Sequence, residues 1–325
     1  MESNKIRAQR ADYLMEIEKH RENDFKIYYT DETWCGKNHT RQFGWIEKIS
    51  EKDFSNFDQY RGSVQEIDGF RGGFVKPSGA GKRIIILHIG SSDGFLPNGM
   101  NCFIAKKDSA DYHNEMNSQH YEEWFRTILN LIPSKSVIVL DQATYHTTID
   151  PEFRNPTTAW RKDDIIEWAE NRKVPLPEGR LTYYSLTKPQ LIERCRPYHF
   201  PKIYKLDTIT KEIRGDEVKL LWLPVAHCEF NPIELIWAFV KNYVAKHNTT
   251  FKLQDVYNLC VHAMENVPED LWSKCCNHSL KEENKYRESE SIVQHNVDNI
   301  IIQVRANDSD TDSYNSSENE DLEEY

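Results

Sequence analysis

Residues 114–143, "NEMNSQHYEEWFRTILNLIPSKSVIVLDQA", decide the fold. Trp124, Phe125, Ile128, Leu129 and Ile132 recur at helical spacing, which predicts an amphipathic helix with one face packed on a sheet. Immediately after it, "SVIVLDQA" is an unbroken apolar run of strand length, the pattern of a central strand covered on both faces. Upstream, "FKIYYTDETW" reads as a strand rich in aromatic and β-branched residues ending near Asp31. "KRIIILHIG" and "NCFIAKK" read as two more, split by the turn signals of "SSDGFLPNG". Strand, helix and strand in this order predict an α/β layer fold.

Working outward, "RADYLMEIEKHR" carries Tyr13, Leu14 and Ile17 at the spacing of one short amphipathic helix, too little for a domain. Residues 149–216 break the rhythm with more Pro and charge, and hold two short helical patterns, "RKDDIIEWAENRK" and "TKPQLIERCR". The strand "KLLWLPVA" follows, then the helix "NPIELIWAFVKNYVAKHN", with Asn231 as expected N-cap and Pro232 at the first helical position. Two further helical segments close the ordered part.

The chain has 325 residues, 38% of them hydrophobic, enough for one large core plus an insertion. No N-terminal apolar stretch follows "MESNKIRAQR", and no apolar run approaches the roughly 18 residues of a membrane helix, so the reading is soluble and intracellular, with no membrane partner. Seven cysteines without a repeating pattern fit free thiols better than a disulfide framework. The net charge of -11 is concentrated at the end: the last 19 residues hold 8 acidic residues and no Lys or Arg. The body is therefore close to neutral and can carry a local basic groove. The tail reads as a solvated disordered extension, with an interaction or phosphorylation role as the other reading.

Three acids stand at the ends of predicted elements: Asp31, Asp141 and Glu234. A carboxylate that ends a hydrophobic run needs something to satisfy it. One answer is bland, with Asp31 and Asp141 as turn formers and Glu234 as a capping acid. The other is chemical: three carboxylates around an open site suit a hard divalent cation, and two such ions can drive in-line attack on phosphorus. Spacing alone leaves both open.

Ordered motifs favour the chemical reading. "IYYTDETW", "GAGKRIIILHIGSSDGF", "DYHNEMNSQHYEEWF", "VIVLDQATYH" and "LPVAHCEFNPIELIWAFVK" together resemble the DDE transposase domain of the mariner-like superfamily, over about residues 26–148 and 217–285. The resemblance implies an RNase H-like fold, a mixed five-stranded sheet flanked by helices, interrupted here by a mostly helical insertion. By motif, it implies that Asp31, Asp141 and Glu234 bind two Mg²⁺ or Mn²⁺ ions for DNA nicking and strand transfer. His146, Gln142 and Asn231 become supporting residues, and Lys82, Arg83 and Lys241 candidates for contact with DNA. It also implies DNA as partner, a homodimer as an admissible assembly, a nuclear location, and no small-molecule cofactor.

The expected organisation is an N-terminal helical linker remnant at 1–25 and a catalytic domain at 26–148 and 217–290. An insertion at 149–216 and an acidic disordered tail at 291–325 complete it. The sequence departs from the family's pattern in four places. Gln142 replaces an Asn, and Val225 to Phe230 replace the usual Pro-Tyr-Ser-Pro-Asp-Leu approach to "NPIE". The 92 residues between Asp141 and Glu234 exceed the family's usual separation, a surplus that is topologically harmless if the insert's ends meet at the sheet edge. Its helix, linker and helix faintly resemble a SAP-type DNA-binding module; a packing or dimerisation flap is the other reading. Only 30 residues precede Asp31, so the paired helix-turn-helix reader of full-length relatives is expected to be missing. The alternative function is accordingly a domesticated, catalytically silent DNA- or protein-binding module.

Other candidates are set aside. "GAGKR" at 79–83 lacks the first Gly and the Ser/Thr of a phosphate loop. Cys260, His262, Cys275, Cys276 and His278 look like zinc ligands, but Cys260 and His262 point to different helix faces. Glu32 adjoins Asp31, yet strand alternation sends it to the opposite face.

Overall fold

The computed structural model describes residues 3–40, 66–67, 70–71, 81–105, 118–179 and 182–308. Gly79 and Ala80 of "GAGKR", residues 111–117 of the "DYHNEMN" motif and tail residues 309–325 lie outside the described residues.

Helix α1 (Asn4–Glu22) leads into β1 (Lys26–Gly36), and a small ladder pairs β2 (Glu66–Ile67) with β3 (Phe70–Arg71). Then come β4 (Arg83–Ser91), β5 (Gly94–Phe95) and β6 (Asn101–Ile104), α2 (Ser118–Leu131) and β7 (Ser136–Leu140). The insertion region carries α3 (Lys162–Asn171), α4 (Lys188–Cys195) and α5 (Lys205–Arg214). The chain closes with β8 (Val218–Trp222), α6 (Ile233–His247), α7 (Leu253–Glu265) and α8 (Leu271–Asp308).

The main sheet is mixed, in the order β5-β4-β1-β7-β8, with β6 also on β4. β5 and β6 share the outer edge of β4, so six strands occupy the five lanes that the sequence predicts. β1 runs antiparallel to β4 and parallel to β7, and β7 runs parallel to β8. Parallel neighbours need a crossover that packs back on the sheet. α2 supplies one before β7, burying Tyr121, Trp124, Phe125, Ile128 and Leu129. α5 supplies the other before β8, burying Leu206 and Ile209 in the same core. On the opposite face α6, α7 and α8 cover β4 and β1, while α1 covers β7 and the end of β8. β7 is buried along its whole length, as its unbroken apolar run predicts.

Three boundaries differ from the sequence reading. α1 is part of the core: Tyr13, Leu14 and Ile17 sit in it with Val137 and Val139, and Tyr13 stacks on Phe230 at 5.5 Å. Arg21 grips the buried Glu283 of α8 through both oxygens, at 2.5 and 2.9 Å, a bidentate pair that staples the two helices. Second, α5 belongs to the main core, so the separate unit lies inside 149–216. That unit centres on its own cluster of Ile165, Ile166, Ala169, Val174, Leu186, Leu191 and Cys195. Third, α8 continues to Asp308, beyond the expected start of the tail at 291.

The ends of the insert do meet. Ile149 bridges Tyr204, and the Lys205 amide donates to Thr148 O at 2.9 Å, so the excursion leaves and returns at one point. We therefore expect a variant in which residues 152–201 are replaced by a two-residue turn to fold cooperatively, with a thermal midpoint within about 5 °C of the parent. Loss of a cooperative transition would show that the satellite core supports the sheet. A second prediction comes from Gly90, whose missing Cβ would stand 2.3 Å from the Trp272 ring of α8. Gly90→Ala is expected to destabilise the fold by about 1–3 kcal/mol in chemical denaturation, whereas an unchanged midpoint would mean that Trp272 is free to move.

Candidate active site

β1 and β7 pair in register as far as Tyr29 and Val139; Asp31 lies two residues further along β1, Asp141 is the first residue after β7, and the charge of Asp141 reaches Asp31. Tyr29, Val137 and Val139 pack toward the α1 side of the sheet, and alternation along β1 puts Asp31 on that face. Asp31 does not close its strand as the sequence reading expects; β1 runs on to Gly36. Asp141 does follow the last residue of β7.

Glu234 is the second residue of α6, which lies over the same face. Trp237, one turn later, donates its indole N–H to Asp31 Oδ2 at 3.0 Å, tying the helix to the strand. The helix starts differently from expectation. Asn231 is not its side-chain cap: α6 begins at Ile233, and Asn231 Nδ2 instead reaches Thr30 O at 3.4 Å. Its Oδ1 is buried without a hydrogen-bond partner. Asn231 is 3% exposed, so the amide anchors the helix start to the residue before Asp31 in place of capping.

The acids influence one another. Burial raises Asp31 well above the usual carboxylate range, and the charges of Glu32, Glu234 and Asp141 push it further. Glu234 is raised by partial desolvation; Lys241 pulls it back and Asp141 pushes it up. Across β4, the partner of Asp31 is His88, stacked on Phe95 at 4.0 Å and held neutral, since burial drives its pKa down to about 3. The three carboxylates thus share one electrostatic neighbourhood. Among the described residues, no three His, Cys, Asp or Glu side chains are drawn together closely enough to hold a metal as they stand.

Asp141 is held by His146, whose Nδ1 lies 2.6 Å from Asp141 Oδ1, while the Ala143 amide donates to the same oxygen at 3.2 Å. The other ring nitrogen of His146 lies 3.0 Å from Glu32 Oε1. Burial alone favours a neutral imidazole, but the Glu32 charge and the bonds to Asp141 and Glu32 outweigh it and raise His146 to about 10. Glu32 is on the opposite face, as alternation predicts, and yet it is not outside the site. The sequence reading missed this link because period-two logic sorts residues by face and ignores a side chain at the sheet end that touches both.

The remaining candidates are dispersed. Gln142 donates to Leu223 O at 2.8 Å and joins the ends of β7 and β8. Lys241 lies two turns after Glu234 on α6, and its carbonyl meets His39 Nε2 at 3.1 Å. Arg83 lies over the Trp34 ring at 4.3 Å, and Lys82 is exposed beside the turn at Gly81. Of the set-aside cysteines, Cys260 is buried and shares a hydrogen bond with Cys35. The unusual Val225–Phe230 approach is clamped by partners that no local pattern announces. His227 stacks on Phe230 at 5.1 Å, its Nε2 lies 3.2 Å from Arg10 of α1 and its Nδ1 lies 2.7 Å from Glu229.

Neither a described protein family nor a curated protein matches the sequence. Solved structures do. The Mos1 mariner paired-end complex with Mn aligns with a TM-score of 0.51 at 8% identity, over 89% of this chain and 63% of that one. The Mos1 transposase paired-end complex with the left transposon end gives 0.49 at 8% identity over the same shares, 89% and 63%. The Mos1 mariner transposase catalytic domain gives 0.44 at 8%, over 89% of this chain and 95% of that one. The chain thus spans less than two thirds of the paired-end transposase chains, and what it shares with the Mos1 mariner paired-end complex with Mn is the fold.

Proposed function

We propose that the protein is a divalent-metal-dependent DNA strand-nicking and strand-transfer domain of the DDE type, with Asp31, Asp141 and Glu234 as its metal-holding acids. The single observation that carries this reading is that Asp31 stands on β1 and Asp141 directly follows its parallel neighbour β7, with the helix that bears Glu234 tied to Asp31 through Trp237. The residues fit Mg²⁺ or Mn²⁺ by the chemistry of their donors: three hard carboxylates, of which Asp31 and Glu234 are raised first by burial and then by the charge of Asp141, with a buried Asn231 oxygen ahead of α6 that lacks a donor among the described residues. Two such ions would supply an activated water or hydroxyl and would stabilise the leaving oxygen.

The chain's own groups have separable tasks. Trp237 holds Asp31, Asn231 sets the start of α6 against β1, and His146 with the Ala143 amide holds Asp141. DNA is the proposed substrate, with Lys82, Arg83 and Lys241 as candidates for backbone contact, a homodimer as the assembly and the nucleus as the location. Among the described residues no helix is long and apolar enough to cross a membrane.

A silent DNA- or protein-binding module is the second reading. It is favoured by the protein donors that already occupy Asp31 Oδ2 and Asp141 Oδ1.

Plasmid nicking in Mn²⁺ tests the leading reading: wild type nicks, and Asp141→Ala is expected to be at least about a hundredfold slower. Equal activity in both removes it. Stability gives an independent check. With a chelator present, Asp31→Asn relieves like-charge repulsion while keeping an acceptor for Trp237, and is expected to be more stable than wild type by about 1 kcal/mol at neutral pH. A less stable variant would mean that the acids are not crowded.

A further inference from the structure

Glu32 poses a physical problem that the proposed chemistry does not absorb. It is 8% exposed in the middle of β1, on the face packed by α2, where an unpartnered carboxylate would be strongly disfavoured. Both of its oxygens are engaged. Oε1 lies 3.0 Å from His146 Nε2, and Oε2 accepts from the Tyr145 hydroxyl at 3.1 Å. His146, at 1% exposure, is boxed by the rings of Tyr121 at 4.1 Å and Tyr145 at 4.5 Å. Its remaining nitrogen meets Asp141 Oδ1 at 2.6 Å. With both carboxylates ionised the imidazole donates at both ends, and the contacts form a continuous chain, Glu32 to His146 to Asp141, around the end of β7.

The two ends of that chain differ. The Asp141 side chain is 46% exposed and begins where the strand has ended, so backbone pairing does not fix its rotamer. Glu32 sits in a regular strand, paired with Leu87 of β4. Rigidity therefore passes from the strand interior to the exposed acid, the relation by which an outer partner orients a ligand.

We propose that Glu32 is a positioning residue, which locks His146 from the far face of the sheet and thereby sets the orientation of the Asp141 carboxylate. The proposal rests on the reading of Asp141 as a metal-holding acid. In this role Glu32 acts on Asp141 through His146 and is not itself a metal-holding acid.

Mn²⁺ titration calorimetry on the full chain, alongside thermal melting, tests it. Glu32→Ala is expected to weaken Mn²⁺ binding about 10–100-fold, with Glu32→Gln, which keeps the shape but not the charge, falling between it and wild type. Because Glu32 acts through His146, the double variant with His146→Asn binds no more weakly than His146→Asn alone. Binding within twofold of wild type in Glu32→Ala, or losses that multiply in the double variant, would overturn the proposal. Should Glu32→Ala fail to melt cooperatively, Glu32→Gln carries the same comparison.

A readout without metal separates this claim from the one beneath it. In wild type the ring N–H protons of His146 are expected to be protected from exchange with water in proton NMR, and protection at Nδ1 is expected to fall in both Glu32 variants. If wild type shows no Mn²⁺ binding that depends on Asp31, the metal reading fails. The NMR comparison still decides the clamp, and unchanged protection in the variants rejects it.

Discussion

The parallel pairing of β1 with β7 is the constraint on which the rest depends. It is a register, set where Tyr29 meets Val139, and beyond it Asp31 on β1 and Asp141 after β7 come close enough at the end of the sheet for one charge to act on the other. A slip of one residue would send one of the two acids to the other face, so the continuous burial of β7 and the alternation along β1 protect the site as well as the core. Everything placed around that pair, from the α6 indole to the His146 ring, holds like charges against their mutual repulsion. That repulsion is what a divalent cation would relieve.

The architecture separates what must be rigid from what can vary. The acids stand on two central strands and one packed helix, whereas the long excursion between Asp141 and Glu234 leaves and re-enters at the Ile149–Tyr204 bridge. Its helices α3 and α4 carry their own apolar cluster. An insertion closed in this way adds length without moving Glu234, since the ends of β8 and α6 are fixed by Gln142, Asn231 and the His227–Phe230 stack.

Much of this was legible in the sequence, for identifiable reasons. The helix at Trp124 and the strand at Val137 announce themselves because packing against a sheet imposes a period. The ordered motifs placed the three acids on two strands and a helix. What escaped is tertiary. α5 carries Leu206, Ile209 and Ile213 at helical spacing, yet it lies in a segment whose Pro and charge content reads as an insert. α1 looked like a remnant because its value lies in the remote partners Phe230 and Glu283. Asn231 has the composition of a cap and acts as an anchor, because Thr30 O was within reach. Glu32 was sorted correctly by face and wrongly by relevance, since no periodic rule describes a histidine that bridges two faces.

The central claim is that Asp31, Asp141 and Glu234 form one metal centre, and crystals grown with Mn²⁺ test it most directly through anomalous scattering. Anomalous density is expected in contact with oxygens of all three acids, with Glu32 outside the coordination shell. Density elsewhere with none between these acids, or Mn²⁺ seated on Glu32 and His146, would contradict it.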